Sequence, residues 1–349
     1  MIGSLRLQDL RCFEALSLSI PEEGALFVGE NAQGKTTLLE AVCVLVRLQS
    51  PRARRLGQLV RMGQPGFGIG GECWGRECRV RTGPDPGLDL RIDGEEVETQ
   101  AAYLADGGLV VWMGNEDLEL VRGPGEARRR YLDFLASQVD AGYRRDISRY
   151  RRALRARNLL LKERRIDAGH VAAYTDLLVE HGEAVQRVRA DLVAELATPV
   201  RAAQAAVSGS GEEVGMTYKP AGGTDLRAAF AEAREREWRQ RQTVVGPHRD
   251  DVKLTLNDLA AADFGSEGQQ RTLALALKLG QGTLLQARGK RVPVYLLDDI
   301  FGELDSARRN ALMAALPDGA QKLITTTSVA WWEDQANFPV FHVAAGTVG

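Results

Sequence analysis

The residues Gly29-Glu30-Asn31-Ala32-Gln33-Gly34-Lys35-Thr36 have the types and spacing to hold a polyphosphate. They fit the pattern G-x-x-x-x-G-K-[ST], in which glycines let successive backbone N–H groups curl toward phosphate oxygens. In this arrangement Lys35 reaches the β- and γ-phosphates, the Thr36 hydroxyl serves Mg²⁺, and Thr37 belongs to the same turn. Context decides between this and a chance glycine-rich turn. An apolar run over 25–28 leads in. Residues 36–47 lead out with Leu38, Leu39, Val42 and Val46 on one helical face. A helix N-terminus placed there adds partial positive charge toward the anion.

A second constellation lies near the other end of the chain. Residues 292–297 read as an apolar strand, and it ends in Asp298-Asp299. Carboxylates at the carboxyl end of a buried parallel strand sit where α/β sheets bind their ligands. Asp298 suits a second handle for Mg²⁺, and Asp299 suits a group that polarises an attacking water. The competing reading is a pair of loop acids that cap the next helix.

The third is a glycine turn, Phe264-Gly265-Ser266-Glu267-Gly268-Gln269, ahead of an apolar helix over 273–285. Ser266 is either a plain N-cap or, with Gly268 and Gln269, a second anion site made of a hydroxyl and backbone N–H groups. A chain with one phosphate loop has no use for a second anion site unless it faces the γ-phosphate on another copy. Catalytic roles are therefore expected of Lys35, Asp298 and Asp299, and metal binding of Thr36 and Asp298. Nucleotide contacts are expected from Gly29 through Thr37 and from Ser266, Gly268 and Gln269.

Positioning these residues takes several kinds of element. Residues 2–7 and 13–20 alternate apolar and polar as short strands do, and 62–100 combine β-formers with turn signals such as Asp93-Gly94. From 126 to 163 the chain is nearly free of Gly and Pro and repeats apolar residues every three or four positions. After a break at 165–169 a second such run begins at Val171, so an antiparallel helical hairpin is expected. Strand–helix alternation returns from 244.

The chain has 349 residues, 44% of them apolar, which suffices for one large core and a smaller lobe. No apolar run is long enough to cross a bilayer, and the opening residues lack a leader pattern, so a cytoplasmic location is expected. Cys73 and Cys78 read as ordinary thiols or as half a metal site with no second pair to complete it. Net charge is only −2, yet residues 122–165 carry fourteen basic against five acidic residues, and 47–61 carry five arginines and no acid. Such local excess points to a polyanion-facing surface.

Taken together, Gly29 to Thr36, Ser266-x-Gly268-Gln269, Asp298-Asp299 and Glu303-Leu304-Asp305 resemble the Walker A, signature, Walker B and D-loop motifs of ABC-type ATPase heads. The helical insertion resembles their SMC-like branch. Further segments narrow the resemblance: Lys35-Thr36-Thr37-Leu38-Leu39-Glu40; Asn115-Glu116-Asp117-Leu118 leading to Arg128-Arg129-Arg130-Tyr131-Leu132-Asp133; and Gly246-Pro247-His248-Arg249-Asp250-Asp251. With Gly268-Gln269-Gln270-Arg271-Thr272, and in this order, they are similar to the RecF family of bacterial DNA replication and repair proteins.

The resemblance implies an α/β fold: an ABC-ATPase-type head with an N-terminal antiparallel β lobe and an inserted α-helical hairpin domain. The head is expected over 1–118 and 244–349, with the lobe at about 55–112, and the insertion over 119–243. It also implies an ATP- and Mg²⁺-dependent homodimer with weak ATPase activity. Such a dimer binds DNA at single-strand gaps or junctions and helps RecO and RecR load RecA. In related heads the end of the strand over 322–326 carries a γ-phosphate sensor, for which Thr325-Thr326-Thr327-Ser328 offers hydroxyls. The alternatives are a transporter ATPase, for which a Glu after Asp298 and no helical hairpin are expected, and an SMC-type structural protein, which needs far longer arms.

Overall fold

The computed structural model describes residues 1–83, 87–105, 107–209, 211–329 and 338–349. Alternating apolar residues form β1 (Ser4–Leu10) and β2 (Phe13–Ser19), and a fully buried run forms β3 (Gly24–Val28), which feeds α1 (Lys35–Arg47). Next come β4 (Gly68–Cys73), β5 (Arg76–Thr82), β6 (Leu88–Ile92), β7 (Glu95–Glu96), the short α2 (Gln100–Ala105) and β8 (Val110–Gly114). A helical stretch follows: α3 (Glu119–Arg122), α4 (Gly125–Val139), α5 (Tyr143–Lys162) and α6 (Ala168–Ser208). Then come β9 (Val214–Lys219), α7 (Leu226–Gln240), β10 (Asp251–Leu256), β11 (Leu259–Ala260) and α8 (Ala261–Phe264). The chain closes with α9 (Glu267–Gly289), β12 (Val294–Asp298), α10 (Ser306–Ala315), β13 (Lys322–Thr326), β14 (Val340–Ala344) and β15 (Thr347–Val348).

Two compact units result. The first, Met1–Asp117 with Gln281–Gly349, holds two six-stranded sheets. One is antiparallel in the order β2-β1-β4-β5-β6-β7. The expected lobe is thus completed by β1 and β2, while β8 leaves it for the other sheet. That second sheet runs β15-β14-β3-β13-β12-β8, parallel throughout except at the β15 edge. Helix α1 packs against strands of both sheets, which is why its Leu38, Leu39, Ala41, Val42 and Leu45 are all buried. The phosphate loop follows β3 and Asp298 ends β12, the two parallel strands that flank β13, so both lie at the same carboxyl edge.

The second unit, Leu118–Gly280, is built on the antiparallel pair α5 and α6 with the small sheet β11-β10-β9. The first expected helix is two, because the Asp140 side chain accepts from Gly142 N at 2.8 Å and Tyr143 N at 2.9 Å and so restarts the chain as α5. The second is longer than its apolar run suggested and contains Pro199. Just past that proline a backbone-to-backbone approach is made possible by Gly280, where a Cβ would lie 2.9 Å from Val200 N. Residues 244–280, expected with the head, pack in this unit because β10 pairs with β9 along its whole length, from Asp251↔Lys219 to Leu256↔Val214. Among the described residues no helix is long and apolar enough to cross a membrane.

Candidate functional site

The loop between β3 and α1 needs its glycines for space as well as for conformation. Gly34 has φ of +114°, and a Cβ there would lie 2.7 Å from Cys12 Sγ. At Gly29 a Cβ would stand 2.2 Å from the Val343 carbonyl oxygen. The backbone therefore winds tightly against β1, β2 and β14. Lys35, the first residue of α1, folds back over the loop and donates to Gly29 O at 2.6 Å and Glu30 O at 2.7 Å. Burial lowers its ammonium pKa, and the nearby Asp299 and Asp298 oppose that shift. Among the described residues its charge rests on these backbone carbonyls, with no carboxylate at salt-bridge distance.

One residue on, Thr36 Oγ1 donates to Asp298 Oδ1 at 2.8 Å. The strand register places Thr325 beside Asp298, and the Thr325 hydroxyl donates to the same oxygen at 2.8 Å. Burial raises the Asp298 carboxyl pKa against the pull of these two hydroxyls. Asp299 turns out of the strand at φ of +51°, with its N–H donating to Thr325 Oγ1 at 3.0 Å, and burial raises its carboxyl as well. Gly29 to Thr37, Asp298 and Asp299 thus share one end of one sheet.

Sequence reasoning left open which residues near 116 and 325 belong here. Glu116 accepts from Trp112 Nε1 at 2.9 Å, and Asp117 accepts from Gly114 N at 2.9 Å. The neighbour that reaches the acidic strand is Asn115, whose amide donates to Asp299 O at 3.3 Å. Of the hydroxyls over 325–328, Thr325 is bound to Asp298 and Thr326 closes a turn with Ser328, while Thr327 is exposed. Thr325 is the member joined to the acidic cluster, and strand pairing is the only signal that could have found it. One turn further along α1, the fully buried Glu40 is held by Arg11 at 2.8 and 3.1 Å and by the Ser50 hydroxyl.

The signature turn lies in the other unit. Ser266 Oγ accepts from Gln269 N at 3.3 Å while Gln269 Oε1 accepts from Ser266 N at 2.8 Å, a reciprocal capping box. Gln269 also donates to Glu212 at 2.8 Å. Ser266 itself is exposed, and Gly268 is half-buried.

The basic stretches separate into two populations. Arg157 is buried and bound to Glu237 at 2.6 Å and to Thr243 at 2.8 Å. Arg151 is turned to Asp133 at 2.6 Å, and Arg128 forms a two-point pair with Asp251 at 2.6 and 3.0 Å. Arg145, Arg149, Arg152 and Arg155 point outward along α5. In the earlier stretch Arg47 is buried and donates to Gly108 O at 3.1 Å, and Arg61 pairs with Asp9 at 3.0 Å; Arg52, Arg54 and Arg55 are exposed.

No protein-family model matches the sequence. A Synechococcus protein named DNA replication and repair protein RecF is 37% identical over 346 residues, 93% of this chain and 91% of its own length. A protein of the same name from Lactococcus lactis subsp. cremoris is 32% identical and covers 99% of this chain and 98% of its own. Among solved structures, the recombination mediator protein RecF-ATPrS in the RecFOR pathway superposes with a TM-score of 0.89 at 26% identity, covering 100% of this chain and 97% of that one. An Smc head bound to the C-terminal winged-helix domain of ScpA matches at a TM-score of 0.53 and 15% identity over 99% of this chain and 95% of that one, a likeness of fold.

Proposed function

The chain belongs to the RecF family of DNA replication and repair proteins, and on that premise we propose that it is a nucleotide-switched DNA-binding protein whose two copies close on ATP. The observation that carries the reading is the Thr36–Asp298–Thr325 cluster beneath a loop too tight for any side chain at Gly29 or Gly34. These residues fit the nucleotide and its ion. Thr36 and Asp298 offer adjacent oxygen donors, the kind Mg²⁺ takes, and the loop offers backbone N–H groups and Lys35. Mg²⁺, when bound, supplies positive charge against the β- and γ-phosphoryl oxygens.

The chain's own groups then divide the work. Gly29, Glu30, Asn31, Ala32, Gln33, Gly34 and Thr37 wrap the phosphates. Lys35 releases two carbonyls to neutralise them. Thr36 and Asp298 hold the ion. Asp299, whose turned-out carboxylate ionises less readily than usual, orients the attacking water. Ser266, Gly268 and Gln269 of one copy meet the γ-phosphate held by the other. Hydrolysis is weak, DNA-dependent, and serves to release the dimer. In the cytoplasm the dimer acts at single-strand gaps with RecO and RecR to help load RecA; a relative described within the RecFOR pathway supports this placement. The outward arginines of α5 and of 52–55 supply a sequence-tolerant DNA surface.

Two defective proteins test the shared site. Lys35→Met keeps the signature turn and loses the phosphate loop; Ser266→Arg does the reverse. Each alone should associate poorly in ATP by sedimentation with gapped DNA. Mixed, they form one site with both lesions and one with neither, and ATP-dependent association should recover. If mixing restores neither association nor hydrolysis, Ser266 is only the cap of α9.

A further inference from the structure

Cys73 and Cys78 have no part in the candidate nucleotide site. Among the described residues no group of three or more His, Cys, Asp or Glu side chains could hold a metal ion. The fold brings the two thiols together instead. Cys73 ends β4, and β5 returns through the two-residue turn Trp74-Gly75, with φ of 51° and 75°. Two consecutive positive φ values give the turn whose twist matches that of the strands, so the hairpin register is fixed. In that register Gly71 pairs with Cys78 and Cys73 with Arg76.

Cys73 and Cys78 are therefore diagonal neighbours on one face of the hairpin. The two thiols lie close enough for each to perturb the other's ionisation. Their exposures differ in a useful way: Cys73 is 6% exposed, whereas Cys78 is only half-buried. Tyr103 of α2, itself buried, completes the group. Its hydroxyl donates to the Leu45 carbonyl of α1 at 2.8 Å and lies beside Cys78.

We propose that Cys73 and Cys78 are a redox-active dithiol, closed to a disulfide by a peroxide and reopened by a thiol reductant. Cys78 is the attacking sulfur. Solvent reaches it, and the neighbouring Cys73 thiol favours its thiolate and lowers its pKa. Cys73 is the resolving sulfur. The neighbouring Cys78 sulfur, then burial, hold its thiol well above the ordinary value, so it stays protonated until needed.

In the first step the Cys78 thiolate attacks one peroxide oxygen, the O–O bond breaks, and hydroxide leaves with the proton that Cys78 gave up, as water. Cys78 is then a sulfenic acid. In the second step the Cys73 sulfur attacks the Cys78 sulfur and the S–O bond breaks. The departing hydroxyl takes the Cys73 proton as a second water. Two thiols and one hydrogen peroxide give one disulfide and two waters, the sulfurs supplying both electrons.

The experiment uses the full chain in its native state. It is treated with one equivalent of hydrogen peroxide, alkylated and digested with trypsin without reduction. Cleavage after Arg76 separates the two cysteines unless they are bonded. The expected result is a linked Cys73–Cys78 peptide, the loss of two of the four thiols, and their return with dithiothreitol. Cys73→Ala should strand Cys78 as a sulfenic acid that dimedone labels, and Cys78→Ser should leave Cys73 unlabelled. The proposal is overturned if the native protein keeps all four thiols, if the first link formed involves Cys12 or Cys43, or if dimedone labels Cys73 before Cys78. Should Cys73→Ala fail to fold, peptide mapping of the unaltered chain decides alone.

Discussion

In the helical unit Arg189 is 2% exposed and is surrounded by its complements: Asp133 at 2.8 Å, Asp250 at 3.0 Å and the Pro247 carbonyl at 2.7 Å. The two carboxylates are themselves saturated. Tyr143 and Arg151 also serve Asp133, while Gln186, Tyr218 and Ala221 N serve Asp250. In the sheet unit, among the described residues, Lys35 is met by backbone carbonyls and Asp298 by hydroxyls. A cluster whose charges satisfy one another fixes structure. One whose cation and anion both stop short of a charged partner is preorganised for something that arrives from outside.

The contrast is sharpest where a charge is deleted. Arg189→Met should cost about 3–5 kcal/mol, because two carboxylates remain buried without their cation; urea unfolding reads this directly. A cost under about 1 kcal/mol would mean that the hub reorganises and that the contrast with the sheet unit is false.

A pH titration of stability probes the same hub from its edge. His248 accepts from the Tyr150 hydroxyl at 2.7 Å through Nδ1 and donates to Thr243 O at 3.2 Å through Nε2, so it is held as the neutral tautomer. Burial pushes it down from 6.5 to about 4. With a folded pKa below the unfolded one, stability is complete above pH 6.5 and falls as pH drops toward 4, by on the order of 2–3 kcal/mol. His248→Gln should flatten that limb. An unchanged acid limb would assign it to the carboxylates.

The arginines of α5 allow the comparison within one helix. Arg149→Glu with Arg152→Glu, both at exposed positions, should weaken DNA binding about tenfold and lower the salt slope by about one unit for each phosphate no longer neutralised. Folding should be unchanged. If binding is untouched, the outward face of α5 is merely solvated.

The smallest effect has the opposite sign. Burial raises the Asp298 carboxyl pKa, so ionisation opposes folding, and stability is lost as pH rises through the folded value. Asp298→Asn should therefore gain up to about 1 kcal/mol at neutral pH while abolishing hydrolysis. A loss of stability would place Asp298 with the saturated hub.

The phosphate loop and the acidic strand were legible because their requirements are local. Glycine at Gly34 answers a backbone angle, and the apolar spacing of 36–47 answers one helical face. The break at Asp140 was missed because an Asx turn can interrupt a helical pattern without a proline. The sequence by itself determined the α/β class, the order of the motifs and the identity of the loop and acidic-strand residues that share one end of the sheet. Only the tertiary structure decided which charges are paired. Thr36 and Asp298 meet across 262 positions, and Arg157 and Glu237 across 80. Arg151 and Arg152 are neighbours in one run, yet one is tied to Asp133 and the other faces solvent. Composition and periodicity report what a residue is and which side of its own element it occupies. What lies opposite depends on how distant segments cross, and on the burial that makes an unpaired charge costly.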